Sequence, residues 1–289
     1  MALPSLCCAK EDDGRNSKRM WRNNYDHISC IKGQRTSKMI EKTIWQTYET
    51  SYDELPDYAK FSIQTWKDQN PDWDHGYMSG PDREQFFRLN FPEDVYNTYI
   101  NLPLGVMKAG LWRFGILYVF GGVYADMDTH CKTPISDWLT DDYDVVLDIE
   151  RDTPWLATQV IAAKKGSPIL KAAIDLCVER CSNGIINHNH MVHYYTDVQM
   201  FTDALYKELG VEPYSKHINE WAPELMEMSF LKDNKAKILH GNDARRLLDR
   251  DVVHLYWGDA REEGWVAWKK DPLVNDSYPD GFNPHEWKE

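Results

Sequence analysis

The stretch VMKAGLWRFGILYVF, residues 106 to 120, runs straight into GGVYADMD, residues 121 to 128, and this junction constrains the chain most. The first part is apolar on most sides, as a helix enclosed by its own protein must be. Gly121 and Gly122 supply the left-handed turn that ends a helix, and VYAD then reads as a strand. A wholly buried helix that passes at once into a strand has to pack on a sheet, which predicts an α/β domain. Side chains of an extended segment alternate between faces, so Asp126 and Asp128 are expected on one side, with Ala125 and Met127 on the other.

The remainder fits that class. Residues from KTIWQTYE onward alternate short apolar runs with longer amphipathic ones, the pattern of a mostly parallel central sheet flanked by helices. Lys42 to Thr47 is the expected first strand. Residues 53 to 69 read as a helix carrying Tyr58, Phe61, Ile63 and Trp66, stopped at Asn70-Pro71. HGYMS reads as a strand and Pro92 to Leu102 as a short helix. DVVLDIE, KAKILH and DVVHLYW follow as strands, and SPILKAAIDLCVER and TDVQMFTDALYKEL as helices. Residues 1–38 are polar and without hydrophobic period, a loose arm; 39–270 form the domain; 271–289 form an acidic tail. At 289 residues the core needs no covalent staple.

The balance of 33 basic against 46 acidic residues, a net charge of -13, argues against nucleic acid, whose binding requires clustered Lys and Arg. An anionic ligand is compatible with this balance if a local cation cancels its charge. The 6 cysteines lack zinc-site spacing and read as reduced thiols. No apolar run is long enough to span a bilayer and MALPSLCCAKEDDGR has no signal-peptide core, so a soluble, cytoplasmic protein without a transmembrane segment is expected.

Paired carboxylates are hard oxygen donors suited to Mg²⁺ or Mn²⁺, ions that share their coordination shell with substrate phosphates. Where a nucleoside diphosphate departs as an anion, such a cation stabilises the developing charge. By itself a D-x-D is weak evidence, because acidic turns after strands mostly serve as caps or solvated loops. DMDT also resembles an aspartyl-phosphate phosphatase motif, in which Asp126 would be the nucleophile. His130 stands where that motif wants Thr or Val, and the glycines shorten the strand it needs.

The whole stretch MKAGLWRFGILYVFGGVYADMD resembles the DXD sugar-binding region of family 32 glycosyltransferases, the group that includes α-1,6-mannosyltransferases. KTIWQTYE, TQVIAAKKGSPIL and TDVQMFTDAL are similar to the family's opening strand, its segment after the metal site and its TGP-containing helix start. The resemblance implies a GT-A fold, a UDP- or GDP-sugar donor, Mn²⁺ or Mg²⁺, a glycan acceptor and retaining hexosyl transfer. Carried over by position, Asp128 ligates the metal, Asp126 contacts the metal or the donor, and Arg113 approaches the sugar or diphosphate; these three are the expected catalytic set. Arg113 needs a buried anionic partner in so apolar a helix. His254 is a further metal or phosphate contact, and Trp45, Gln46, Thr47 and Trp265 lie by the donor.

One departure stands out: the family's aspartate three residues before the arginine is Gly110 here. Altered sugar selectivity, another acid such as Asp148 or Glu150, or loss of transfer would each follow. The last leaves a carbohydrate- or nucleotide-sugar-binding module as the alternative. NHNHMVHYY, with His188, His190 and His193, reads as a polar loop and is assigned no role.

Overall fold

The computed structural model describes residues 39–150, 153–187, 190–213, 217–239 and, as backbone only, 253–255. The expected arm and acidic tail lie outside the described residues. A chain of short strands and longer helices follows. These are β1 (Thr43–Thr47), α1 (Asp57–Gln69), β2 (Asp74–Met78), α2 (Gly80–Asn90), α3 (Glu93–Asn101), α4 (Gly105–Phe120), β3 (Gly122–Ala125), β4 (Thr129–Cys131), β5 (Val145–Leu147) and β6 (Val160–Ala163). Then come α5 (Pro168–Cys181), α6 (Met191–Thr196), α7 (Val198–Leu209), α8 (Ile218–Met226), α9 (Ser229–Asp233), β7 (Ala236–Ile238) and β8 (Val253–Leu255).

Six strands form one sheet in the order β2-β1-β3-β6-β5-β7, and β4 pairs with β8 in a separate two-stranded ribbon. Within the large sheet only β6 runs against its neighbours. This is the α/β class with a mostly parallel sheet flanked by helices that the sequence predicts. Alternation along the strands gives the sheet two apolar faces. Ile44, Val123, Ala125, Val146, Val160 and Ala162 pack with Trp66 of α1. On the opposite face Trp112 of α4 meets Tyr124 edge-on at 6.1 Å, and Phe114 meets Phe201 of α7 at 4.8 Å. Among the described residues no helix is long and apolar enough to cross a membrane.

Gly121 and Gly122 turn α4 into β3 with φ of 71° and 110°, a region that L side chains avoid. The helix therefore runs back alongside the strand it feeds, and α4 presents Arg113 to the residues that follow β3.

Three elements differ from expectation. The first helix is preceded by a separate 3-10 turn, Tyr52–Glu54, because Leu55 and Pro56 are extended rather than helical. Helix α2 was not anticipated; its polar sequence hides a capping box in which Ser79 and Asp82 satisfy each other's end of the first turn. Finally, Asp126, Met127 and Asp128 do not continue the strand. The Asp126 carbonyl accepts both the Thr129 amide, at 3.2 Å, and the Thr129 hydroxyl, at 2.6 Å, which closes a turn. Met127 is drawn into a cluster with Leu55, Tyr58, Ile63 and Tyr77.

Candidate functional site

The turn after β3 carries the two aspartates, and it is held from beneath. Buried Gln46 donates to the Asp126 carbonyl at 3.3 Å and to Ser62 Oγ at 3.0 Å, while its Oε1 pairs with His75 Nε2 at 2.9 Å. Burial depresses the His75 pKa to about 3, so the ring is neutral and donates to Gln46. Thus the turn, rather than strand alternation, brings the two carboxylates together.

Three elements then converge on Asp126. Its Oδ1 accepts the Tyr124 hydroxyl, which alternation along β3 places on the same face. Arg113 Nη2 lies 3.6 Å from the same oxygen. The guanidinium also lies over the Tyr124 ring, 5.1 Å from its centroid. On the far side, Arg113 Nη1 donates to the Thr158 carbonyl at 3.0 Å and to Asp197 Oδ1 at 3.1 Å. Asp197 precedes α7 but spends its carboxylate here, also accepting the Thr158 hydroxyl at 2.5 Å and facing His193 Nδ1 at 3.5 Å.

The buried anionic partner that Arg113 requires is therefore present twice over. Burial opposes its charge, but Tyr124, Asp126, Asp197 and Asp128 outweigh that and the guanidinium is held more firmly protonated than usual. Asp197 shows the counterpart. Despite burial, Arg113, His193 and Thr158 keep its carboxyl well below the usual carboxylate range. Asp128 behaves oppositely: burial, followed by the charge of Asp126, pushes it up to about 8. Burial also raises Asp126, against the pull of Arg113 and Tyr124. A buried carboxyl and a half-buried one that resist joint ionisation form a donor set that a divalent cation would relieve.

Gly110 has a structural reason. A Cβ there would lie 2.6 Å from the Thr196 carbonyl, so α4 and the end of α6 approach too closely for any side chain. The acid facing Arg113 comes instead from the next residue, Asp197. Asp148 and Glu150, the substitutes considered from sequence, are a buried and a half-buried carboxyl whose pKa desolvation raises, but neither pairs with Arg113 in a salt bridge among the described residues.

The remaining expected contacts fall differently. Trp45 stacks on Phe120 at 5.7 Å and its indole donates to the Gly121 carbonyl at 2.8 Å, at the amino end of β3 and away from Asp126. Thr47 donates to the Met78 carbonyl at 2.6 Å and accepts from Arg83 at 3.0 Å. With Gln46 engaged at the turn, all three residues have internal partners. His254 pairs in backbone register with His130, two residues beyond Asp128. Trp265 lies outside the described residues. The His-rich segment is not wholly a loop, since His193 sits on α6 and reaches Asp197.

Comparison with known proteins agrees with this geometry. Residues 56–145 match the glycosyltransferase sugar-binding region containing the DXD motif, an interval that holds α4, β3 and both aspartates. The resemblance to family 32 glycosyltransferases is borne out. The chain is 28% identical over 210 residues to the initiation-specific alpha-1,6-mannosyltransferase of Candida albicans, covering 60% of this chain and 54% of that one. It is 30% identical over 158 residues to the putative glycosyltransferase HOC1 of Saccharomyces cerevisiae, covering 47% and 39%. The chain thus spans about half the length, or less, of these curated relatives. Among solved structures, the PaToxG glycosyltransferase overlays 75% of this chain and 85% of its own at 18% identity, with a TM-score of 0.49.

Proposed function

We propose that this protein transfers a hexose, mannose by analogy with the names of its relatives, from a GDP- or UDP-sugar to a carbohydrate hydroxyl. The observation that carries this reading is the meeting of Asp126 and Asp128 with Arg113 at one buried turn. Asp126 and Asp128 would hold Mn²⁺ or Mg²⁺, with His254 on the adjoining ribbon as a further candidate ligand. Among the described residues no three His, Cys, Asp or Glu are grouped to hold an ion unaided, so diphosphate oxygens and water would complete the shell. When bound, the cation would stabilise negative charge on the departing nucleoside diphosphate.

The chain's own groups do the rest. Arg113, pinned by Asp197 and the Thr158 carbonyl, directs its second nitrogen towards Asp126, where charge on a diphosphate or sugar would be met by a fixed cation. Tyr124 orients Asp126. Transfer is proposed to occur with retention, on one face of the sugar. The bond from the anomeric carbon to the diphosphate breaks as the bond to the acceptor oxygen forms, and the acceptor proton passes to the leaving phosphate oxygen. No side chain is needed as nucleophile. The presence of Asp197 beside Arg113 favours transfer over the binding-module alternative that Gly110 raised.

Incubation with Mn²⁺ and a panel of GDP- and UDP-hexoses is expected to release the nucleoside diphosphate and extend an oligosaccharide acceptor. Unchanged turnover in Asp128→Ala would refute the assignment.

A further inference from the structure

Next to Asp197 and Asp126, the two anions that face Arg113, lies a second group of polar side chains that the transfer chemistry above does not use. Ile149 and Leu156 form an isolated bridge that brings Glu150 opposite Trp155, whose carbonyl accepts the Glu150 amide at 2.8 Å. Gln159 Nε2 holds the Glu150 carboxylate at 3.1 Å, and the Gln159 carbonyl accepts the Asp126 amide at 2.9 Å. The Trp155 ring lies 5.8 Å from that of His193, which faces Asp197. The contacts therefore run without a break from Glu150 through Trp155 and His193 to Asp197, and back through Gln159 to Asp126.

Two atoms in this wall stand out. Trp155 is 6% exposed, yet its indole N–H has no hydrogen-bond partner. Buried Gln159 Oε1 is unpartnered as well. One is a donor and the other an acceptor, and leaving either buried and unpaired is costly. The neighbouring carboxylates of Glu150 and Asp197 are acceptors. A phosphate would be repelled by those carboxylates. A metal would need converging ligands, and no such group occurs among the described residues. A hydroxyl both donates and accepts, so several hydroxyls on one ring match a wall of mixed buried donors and acceptors.

We propose that Glu150, Trp155, Gln159 and His193 form the subsite that reads the hydroxyls of the donor's hexose, a role resting on the donor-site reading above. The chain supplies these residues from two places, the positions around the Ile149–Leu156 bridge and α6. Both border Asp197, so the sugar would lie beside the Arg113–Asp197 pair.

The test compares the affinity of a nucleoside diphosphate with that of its hexose conjugate, by calorimetry with Mn²⁺, using GDP and GDP-mannose and then UDP and UDP-glucose. Trp155→Phe keeps the shape and removes the N–H; Glu150→Gln keeps the size and removes the charge. Each is expected to weaken the conjugate about tenfold or more while leaving the bare diphosphate within about twofold, as loss of one hydrogen bond to a buried group does. Unaltered thermal unfolding confirms that both variants fold. If the ratio of the two affinities is unchanged in both, the proposal fails. It fails equally if only the acceptor KM moves, which would assign the wall to the acceptor. Asp128→Ala is the separate control. Undiminished Mn²⁺-dependent binding of the bare diphosphate there would overturn the donor site itself.

Discussion

Among the described residues two arginines are buried, and they are not equivalent. Arg83, on α2, is fully enclosed and pairs with Glu49, whose side chain is 54% exposed, and with the Thr47 hydroxyl. That is one cation with one anion that water still reaches, an arrangement that pins the end of β1. Arg113 is also buried, but Asp126, Asp128 and Asp197 act on it together, and half-buried Glu150 adds its charge near Asp197 and Asp126. Its surroundings are anionic in excess, and burial together with the charge of Asp126 pushes the Asp128 carboxyl up to about 8. The contrast separates a balanced ion pair, which serves the fold, from an unbalanced one, whose deficit of positive charge suits a ligand.

The sharpest way to break this comparison is to remove each cation. Arg113→Met should abolish turnover, by at least about a thousandfold, as expected for loss of a fixed charge in a water-excluded site, and should cost about 3–5 kcal/mol of stability because its carboxylates are left buried and unpaired. Arg83→Met should leave kcat per folded molecule within about twofold and cost less, since Glu49 can turn to solvent. Equal losses of activity in both would erase the distinction.

Asp128→Asn should act in opposite directions on stability and function. It removes a carboxyl that must take up a proton to stay buried beside Asp126, so the metal-free protein should unfold at a higher temperature, while turnover falls about a hundredfold or more. The pH dependence follows with a definite sign. Asp128 has a folded pKa raised to about 8, so between the unfolded carboxylate value and that point the folded protein binds the extra proton. Metal-free stability should therefore fall as pH rises through this window, and Asp128→Asn should flatten the slope. Asp197 is the reverse case. Its folded pKa is depressed, so its contribution is present above the ordinary carboxylate range and is lost as pH falls below it. Asp197→Asn should reduce the acid-induced loss, measured by thermal melts on the acid side.

A smaller effect is expected at Gly110. Alanine there would gain helix propensity but meet the Thr196 carbonyl at 2.6 Å. A net loss of about 1–3 kcal/mol is expected from this overpacking. A stabilised variant would mean that α4 and α6 are not closely apposed.

Much of this arrangement can be read from residue order. The buried helix, the glycine pair, the strand after it and the pairing of Arg113 with an acid all follow from apolar periodicity and the cost of an enclosed charge. What sequence could not give was which acid. Asp197 lies 84 positions from Arg113, and only the packing of α4 on the end of α6 brings them together. The sequence reads His193 as part of a polar loop without a role and does not single out Trp155, for the same reason: short polar segments show no period until a tertiary contact orders them. The aspartate turn was misjudged as extended because the Thr129 hydroxyl, a single side-chain bond, outweighs the alternation begun by β3. Trp45 and Gln46 show something else that sequence does not reveal, polar atoms near the site engaged by the scaffold.

The central claim is that the aspartate turn binds a cation jointly with a nucleoside diphosphate, and a Mn²⁺ titration followed by electron paramagnetic resonance tests it directly. GDP or UDP is expected to tighten Mn²⁺ binding by about tenfold or more in the native protein and by nothing in Asp128→Ala. Equal tightening in both, or none in either, would contradict the account.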